Sequence, residues 1–77
     1  MLALHDIGSA RLLYERAAKA GNSRAATGVG KTFDPNFLRL EGTVGLQPNR
    51  SEAINWYQKA AALGDPEAAV LLRQLQN

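Results

Sequence analysis

No cysteine occurs anywhere in the 77 residues, which excludes disulfide staples and thiolate metal sites. A chain this short holds one domain at most, 1–77, and is marginally stable without a staple. Aromatic residues are scarce: one Trp, two Tyr and two Phe. Much of the 45% apolar content is alanine, which buries little area. The core must therefore rest on close approach of backbones. Runs of like charge are absent too, since nine basic and seven acidic residues are interspersed to give a net +2. The pI of about 9.4 reflects that small excess and not a clustered patch, so nucleic acid is not an expected partner. No apolar stretch approaches the roughly 18 residues of a membrane span, so no membrane insertion is expected. Met1-Leu2-Ala3-Leu4 is too short for a signal-peptide apolar region and lacks a basic lead. None of these absences identifies a compartment.

What the chain does have is a duplication. Residues 10–33 and 53–76 align at a spacing of 43, with seven identities, five of them alanine. Ala10-Arg11-Leu12-Leu13-Tyr14-Glu15-Arg16-Ala17-Ala18 pairs with Ala53-Ile54-Asn55-Trp56-Tyr57-Gln58-Lys59-Ala60-Ala61. Each copy then reaches a glycine, Gly21 or Gly64, and an alanine pair, Ala25-Ala26 or Ala68-Ala69. Self-similarity at a fixed period is the signature of a repeat array.

The periodicity within each copy is helical. A first helix is expected over 7–20, capped by Asp6, with Ile7, Ala10, Leu13, Tyr14, Ala17 and Ala18 on its inner face. Gly21 ends it. Asn22 or Ser23 caps a second helix over 24–33 with Ala25, Ala26, Val29 and Phe33 inward, although Gly28 and Gly30 each weaken it by about 1 kcal/mol. Asp34-Pro35 is a stop and a restart, giving a short helix over 35–40 that carries Phe37, Leu38 and Leu40. Residues 42–48 form a loop in which Val44 and Leu46 pin the chain to the hairpins. A third helix is expected over 50–63, with Asn49 and Glu52 as a capping box and Ala53, Trp56, Tyr57, Ala60 and Ala61 inward. Gly64 closes it. Asp65-Pro66-Glu67 opens the fourth main helix, whose inner residues are Ala68, Ala69, Leu72 and Leu75. The fold class is therefore all-α: two antiparallel hairpins, 8–33 and 49–76, joined by a short helix and loop over 34–48.

The motif Ala53-x-x-Trp56-Tyr57-x-Lys59-Ala60-Ala61-x-x-Gly64-x-x-x-Ala68 resembles the Sel-1-like repeat, a relative of the tetratricopeptide repeat. Residues 45–53 resemble that family's loop. The first copy is similar with two departures: Leu13 stands where Trp is frequent and Arg16 where Lys is. The 43-residue spacing exceeds the family's usual unit, which places an insertion at 34–41. The resemblance implies an α-solenoid and a scaffold or adaptor role, with no catalytic residues to carry over. Such arrays bury their faces with three or more units, so a two-unit chain starting its pattern almost at once is expected to be part of a longer protein.

One stretch imitates a phosphate-binding loop. Ala25 to Thr32 reads Ala-Ala-Thr-Gly-Val-Gly-Lys-Thr, against Gly-x-x-x-x-Gly-Lys-Thr. The first glycine is missing, a helix precedes it where a strand is needed, and Asp34-Pro35 stops the helix that should follow. A nucleotide-binding relic at Gly28 to Thr32 is thus a remote alternative, and no cofactor is expected. His5, the single histidine, lacks visible co-ligands for a metal. The acids Asp6, Glu15, Asp34, Glu41, Glu52, Asp65 and Glu67 read as caps or exposed helix positions, not as a catalytic pair. Ser9, Ser23 and Ser51 have no base at a recognisable spacing. Trp56, Tyr57 and Tyr14 fall at inward positions and read as core, not as a stacking surface.

A non-catalytic protein–protein interaction module is the function these observations favour. In superhelical repeats the first helix of each pair tends to line the concave face. The polar residues there are Arg11, Glu15, Asn55 and Gln58, a candidate groove for a partner peptide; the plainer reading is a solvated face. A structural cap or self-association element of a longer solenoid is the alternative.

Overall fold

The computed structural model describes residues 7–41 and 47–76, with side chains over 10–39 and 47–76. Five helices follow in order: α1 (Ile7–Lys19), α2 (Ser23–Phe33), α3 (Pro35–Glu41), α4 (Arg50–Ala62) and α5 (Pro66–Gln76). The all-α hairpin architecture expected from the repeat is the one observed. The expected caps at Asp6 and the expected anchoring by Val44 and Leu46 lie outside the described residues.

Both hairpin corners are built alike. Gly21 and Gly64 adopt φ of +96° and +107°, the left-handed region that costs glycine nothing. At the first corner Gly21 N–H donates to the Ala18 carbonyl (2.9 Å) and Asn22 N–H to that of Ala17 (3.1 Å). At the second, Gly64 N–H donates to the Ala61 carbonyl and Asp65 N–H to that of Ala60, both at 3.0 Å. This is the Schellman closure, which satisfies the last carbonyls of a helix. The residue completing each closure also starts the next helix. Asn22 Oδ1 accepts from Ala25 N–H (3.0 Å), and Asp65 Oδ1 accepts from Glu67 N–H (3.1 Å). One side chain thus closes one helix and caps another, which leaves the corner no slack.

The first part of the connection between hairpins, Asp34 and α3, is part of the packed body. Asp34 is buried and caps α3, accepting from Asn36 N–H at 2.8 Å. Leu38 is buried as well. The expected capping box at α4 is half formed: Asn49 Oδ1 accepts from Glu52 N–H (3.1 Å), but Asn49 N–H donates to the Phe33 carbonyl (2.8 Å). The end of α2 takes the donor that Glu52 would otherwise have used, and this ties the two hairpins together.

α2 is the central element, packed against α1, α3 and α4, while α5 covers α4. The core consists of Ala26, Ala53, Tyr57, Ala60, Ala68 and Leu75, with Phe33, Ile54, Trp56, Leu71 and Leu72 packed on it. The inner faces expected for α2 and α4 are buried or half-buried. Two expectations are corrected. Leu13 and Tyr14 are 52% and 43% exposed, because among the described residues α1 packs mainly against α2. Ala69 is exposed, because α5 turns Ala68, Leu71, Leu72 and Leu75 toward α4 instead. Burial on α2 is also wider than one face, since Thr27, Gly30 and Thr32 join Ala25, Ala26 and Val29.

Candidate partner-binding surfaces

The surfaces are positioned by two tyrosines that occupy the same place in the two copies. A Cβ built on Gly28 would stand 3.0 Å from the Tyr14 ring, and one on Gly30 would stand 2.5 Å from the Tyr57 ring. Residues two apart on a helix point about 200° apart. α2 is therefore gripped from opposite sides, by α1 through Tyr14 and by α4 through Tyr57. Glycine at both positions is what lets each ring lie on the backbone.

The Tyr57 hydroxyl donates to Asp34 Oδ2 at 2.7 Å in the interior. Burial, this hydrogen bond and the nearby charges of Asp34 and Glu67 hold the phenol well above its ordinary pKa. Thr27 Oγ1 donates in the same way to Asp65 Oδ2 at 2.5 Å. Each Asp-Pro cap thus uses one carboxylate oxygen for its own helix and the other for a hydroxyl from a neighbouring element. A buried carboxylate is tolerable only when so paired.

The P-loop look-alike dissolves into packing. Gly28 to Thr32 lie within α2, not in an irregular loop with its amides turned outward. Thr32 Oγ1 donates to the Val29 carbonyl (2.6 Å) and accepts from Arg11 Nε (2.8 Å). Lys31 pairs with Glu67 at 3.2 Å. Gly28 and Gly30 serve the tyrosine rings. The remote nucleotide reading is therefore replaced by a structural one: these residues are small or paired because a helix here has neighbours on two sides.

The four candidate face residues are not equivalent. Arg11 is half-buried and committed inward: besides Thr32 Oγ1, it donates to the Thr32 carbonyl (2.8 Å), and its guanidinium lies 3.8 Å from the Phe33 ring centre. It braces α1 to the end of α2. Glu15 is half-buried. Asn55 and Gln58 are exposed, and they share an open recess of about 480 Å³ with Glu52, Trp56, Lys59 and Ala62. Arg11 and Glu15 do not line it, so the structure gathers two of the four residues and not the whole set. Lys59 Nζ sits 4.6 Å from the Trp56 ring centre, an attraction that holds the ammonium over the indole.

A larger groove of about 1090 Å³ opens over α2. α1 contributes Ala10, Tyr14 and Ala17, α2 contributes Arg24, Gly28 and Lys31, and Phe37 and Glu67 close it. The sequence pattern gave no notice of this groove, because Ala10, Tyr14 and Ala17 share the spacing of the buried Ala53, Tyr57 and Ala60. Elsewhere on α1, Leu12 and Leu13 are 62% and 52% exposed. Among the described residues no helix is long and apolar enough to cross a membrane, and no group of His, Cys, Asp and Glu is placed to hold a metal.

A family model described as Sel1 repeat matches residues 3–22 and 23–65. The second match spans one 43-residue period, from α2 through α3 to the Asp65 that caps α5. Its boundary falls at the hairpin corner, so a unit runs from the second helix of one hairpin to the first helix of the next. No curated protein and no solved structure matches the chain.

Proposed function

The chain belongs to the Sel1 repeat family, whose members generally mediate protein–protein interaction, and on that premise we propose that it is a non-catalytic interaction module holding a segment of a partner protein. The recess on α4 carries this reading. Asn55 and Gln58 present two carboxamides that make no hydrogen bond among the described residues, beside the Trp56 ring and the Glu52 and Lys59 charges. A carboxamide both donates and accepts, which suits it to the backbone of an extended peptide. An indole with a polar rim is the residue type that anchors interfaces. Arg11 and Glu15 enter as support: Arg11 fixes the α1–α2 pair, and Glu15 is the part of α1 left for longer partners.

The test is affinity capture from a native extract with the 77-residue chain and its Asn55→Ala/Gln58→Ala variant. A partner held by the first and lost by the second, with unchanged melting, supports the recess. A partner held equally by both moves the binding surface elsewhere.

The exposed Leu12, Leu13 and Tyr14 favour a second reading, association with further repeats. That reading concerns a different surface.

A further inference from the structure

The α4 recess holds two charges that the fold does not use. In a capping box the acid three residues on reaches back to the N-cap N–H. Asn49 N–H instead donates to the Phe33 carbonyl (2.8 Å), so the Glu52 carboxylate is released from that task. Among the described residues the side chains of Glu52 and Lys59 make no hydrogen bond and no ion pair. Their spacing is the reason. Charges pair along a helix at three or four residues. At those positions Glu52 has Pro48, Asn49, Asn55 and Trp56, and Lys59 has Asn55, Trp56, Ala62 and Leu63. Glu52 and Lys59 themselves stand seven apart, about 10 Å along the axis. The ammonium is nevertheless fixed, 4.6 Å from the Trp56 ring centre. Asn55 and Gln58 are exposed between the two charges. The arrangement belongs to the second copy only, since Ser9, Leu12 and Leu13 stand where Glu52, Asn55 and Trp56 do.

We propose that the recess takes a partner segment in the polyproline II conformation, with one basic and one acidic side chain three residues apart. This rests on the reading of the recess as a peptide site and states which peptide it accepts. A polyproline II helix has about three residues per turn and rises about 3.1 Å per residue, so residues three apart share a face and lie about 9 Å apart. That matches the separation of Glu52 and Lys59. In a β-strand, residues on one face lie about 7 or 13 Å apart, and neither value fits. An α-helical partner has the right spacing at seven residues, but its backbone groups are bonded to one another and leave the carboxamides nothing to hold. The polyproline II backbone has no internal hydrogen bonds, so it is open to Asn55 and Gln58. The basic side chain meets Glu52, and the acidic one meets an ammonium that the indole has already ordered, which lowers the cost of pairing. Either chain direction satisfies the charges.

The test titrates short capped peptides into the 77-residue chain and follows the fluorescence of Trp56, its one tryptophan. The probes carry Arg-Pro-Pro-Glu, Glu-Pro-Pro-Arg, Arg-Pro-Pro-Arg or Glu-Pro-Pro-Glu between proline flanks. At least one mixed-charge probe is expected to bind about fivefold more tightly than either like-charge probe, and the preference is expected to fade between about 0.05 and 0.5 M salt. Arg-Pro-Pro-Pro-Glu turns one charge about 120° off the face and is expected to bind as weakly as the like-charge probes. Glu52→Lys is expected to invert the order and make Glu-Pro-Pro-Glu the tightest, a result that an unfolded variant does not give. Equal binding of mixed and like charges, equal binding of the lengthened probe, no response to any probe at about 1 mM, or an unchanged order in Glu52→Lys each overturns the proposal. If the probes fail while a captured protein still depends on Asn55 and Gln58, the recess remains a partner site and the charge register alone is overturned.

Discussion

Tyr57 and Tyr14 occupy one repeat position and both lie on a glycine of α2, but only Tyr57 is buried. Tyr57→Phe leaves Asp34 Oδ2 buried without its donor, and is expected to cost about 1–3 kcal/mol in urea unfolding. The effect has a pH signature. The native phenol is held above its ordinary value, whereas in the unfolded chain it ionises near pH 10. Stability from this group is complete below about pH 10 and is lost as pH rises beyond it. Melting temperatures from pH 8 to 11 are expected to fall more steeply for the native chain than for Tyr57→Phe. The two glycines beneath these rings make a second contrast. Gly30→Ala places a methyl 2.5 Å from a ring that has nowhere to move, and is expected to destabilise by about 1–3 kcal/mol. Gly28→Ala meets an exposed Tyr14 that yields, so its gain of about 1 kcal/mol in helix propensity leaves it neutral or stabilising. Thermal denaturation of the pair decides it, and equal losses would mean that Tyr14 is as confined as Tyr57.

At the scale of the helices, most of the order was legible because the punctuation is chemical. Gly21, Gly64, Asn22, Asn49 and the two Asp-Pro pairs act through local backbone geometry, and local geometry is written in local sequence. Burial was less legible, because it depends on neighbours distant in sequence. The i, i+3, i+4 pattern of α1 is that of α4, yet Leu13 and Tyr14 are exposed while Tyr57 is buried. α2 had a subtler signal, two glycines on opposite faces, each matched to a Tyr of one copy. Without the second neighbour in view they read as weakened helix or as a phosphate loop. The alanines of α1 and α4 carry the same lesson into a prediction. Ala60→Leu is expected to cost about 1–3 kcal/mol, since Ala60 lies wholly inside. Ala17→Leu, beside the open groove, is expected to cost less than about 1 kcal/mol. Similar losses in the two melting curves would show the groove to be filled in solution.

For the molecule as a whole, the architecture followed from the 43-residue period, whereas the four residues expected to share a face are not all gathered on one surface. Asn55 and Gln58 are exposed on α4 and share a recess with Trp56. Arg11 looked the same in sequence, but Thr32 and Phe33 of the adjacent helix claim its guanidinium. A long cationic side chain reaches several partners, and only packing decides which.

The grip on α2 from two sides also bears on how the chain comes apart. Its repeats do not meet at a plane between helices; they share a helix, with one tyrosine of each copy pressed into it. Detaching α1 leaves α2 seated against α4, whereas detaching α2 strips α1 of its support and uncovers Tyr57 and Ala53 together. Opening thus has a direction: in hydrogen exchange the amides of α1 give way first, and those of α2, α4 and α5 exchange as one block.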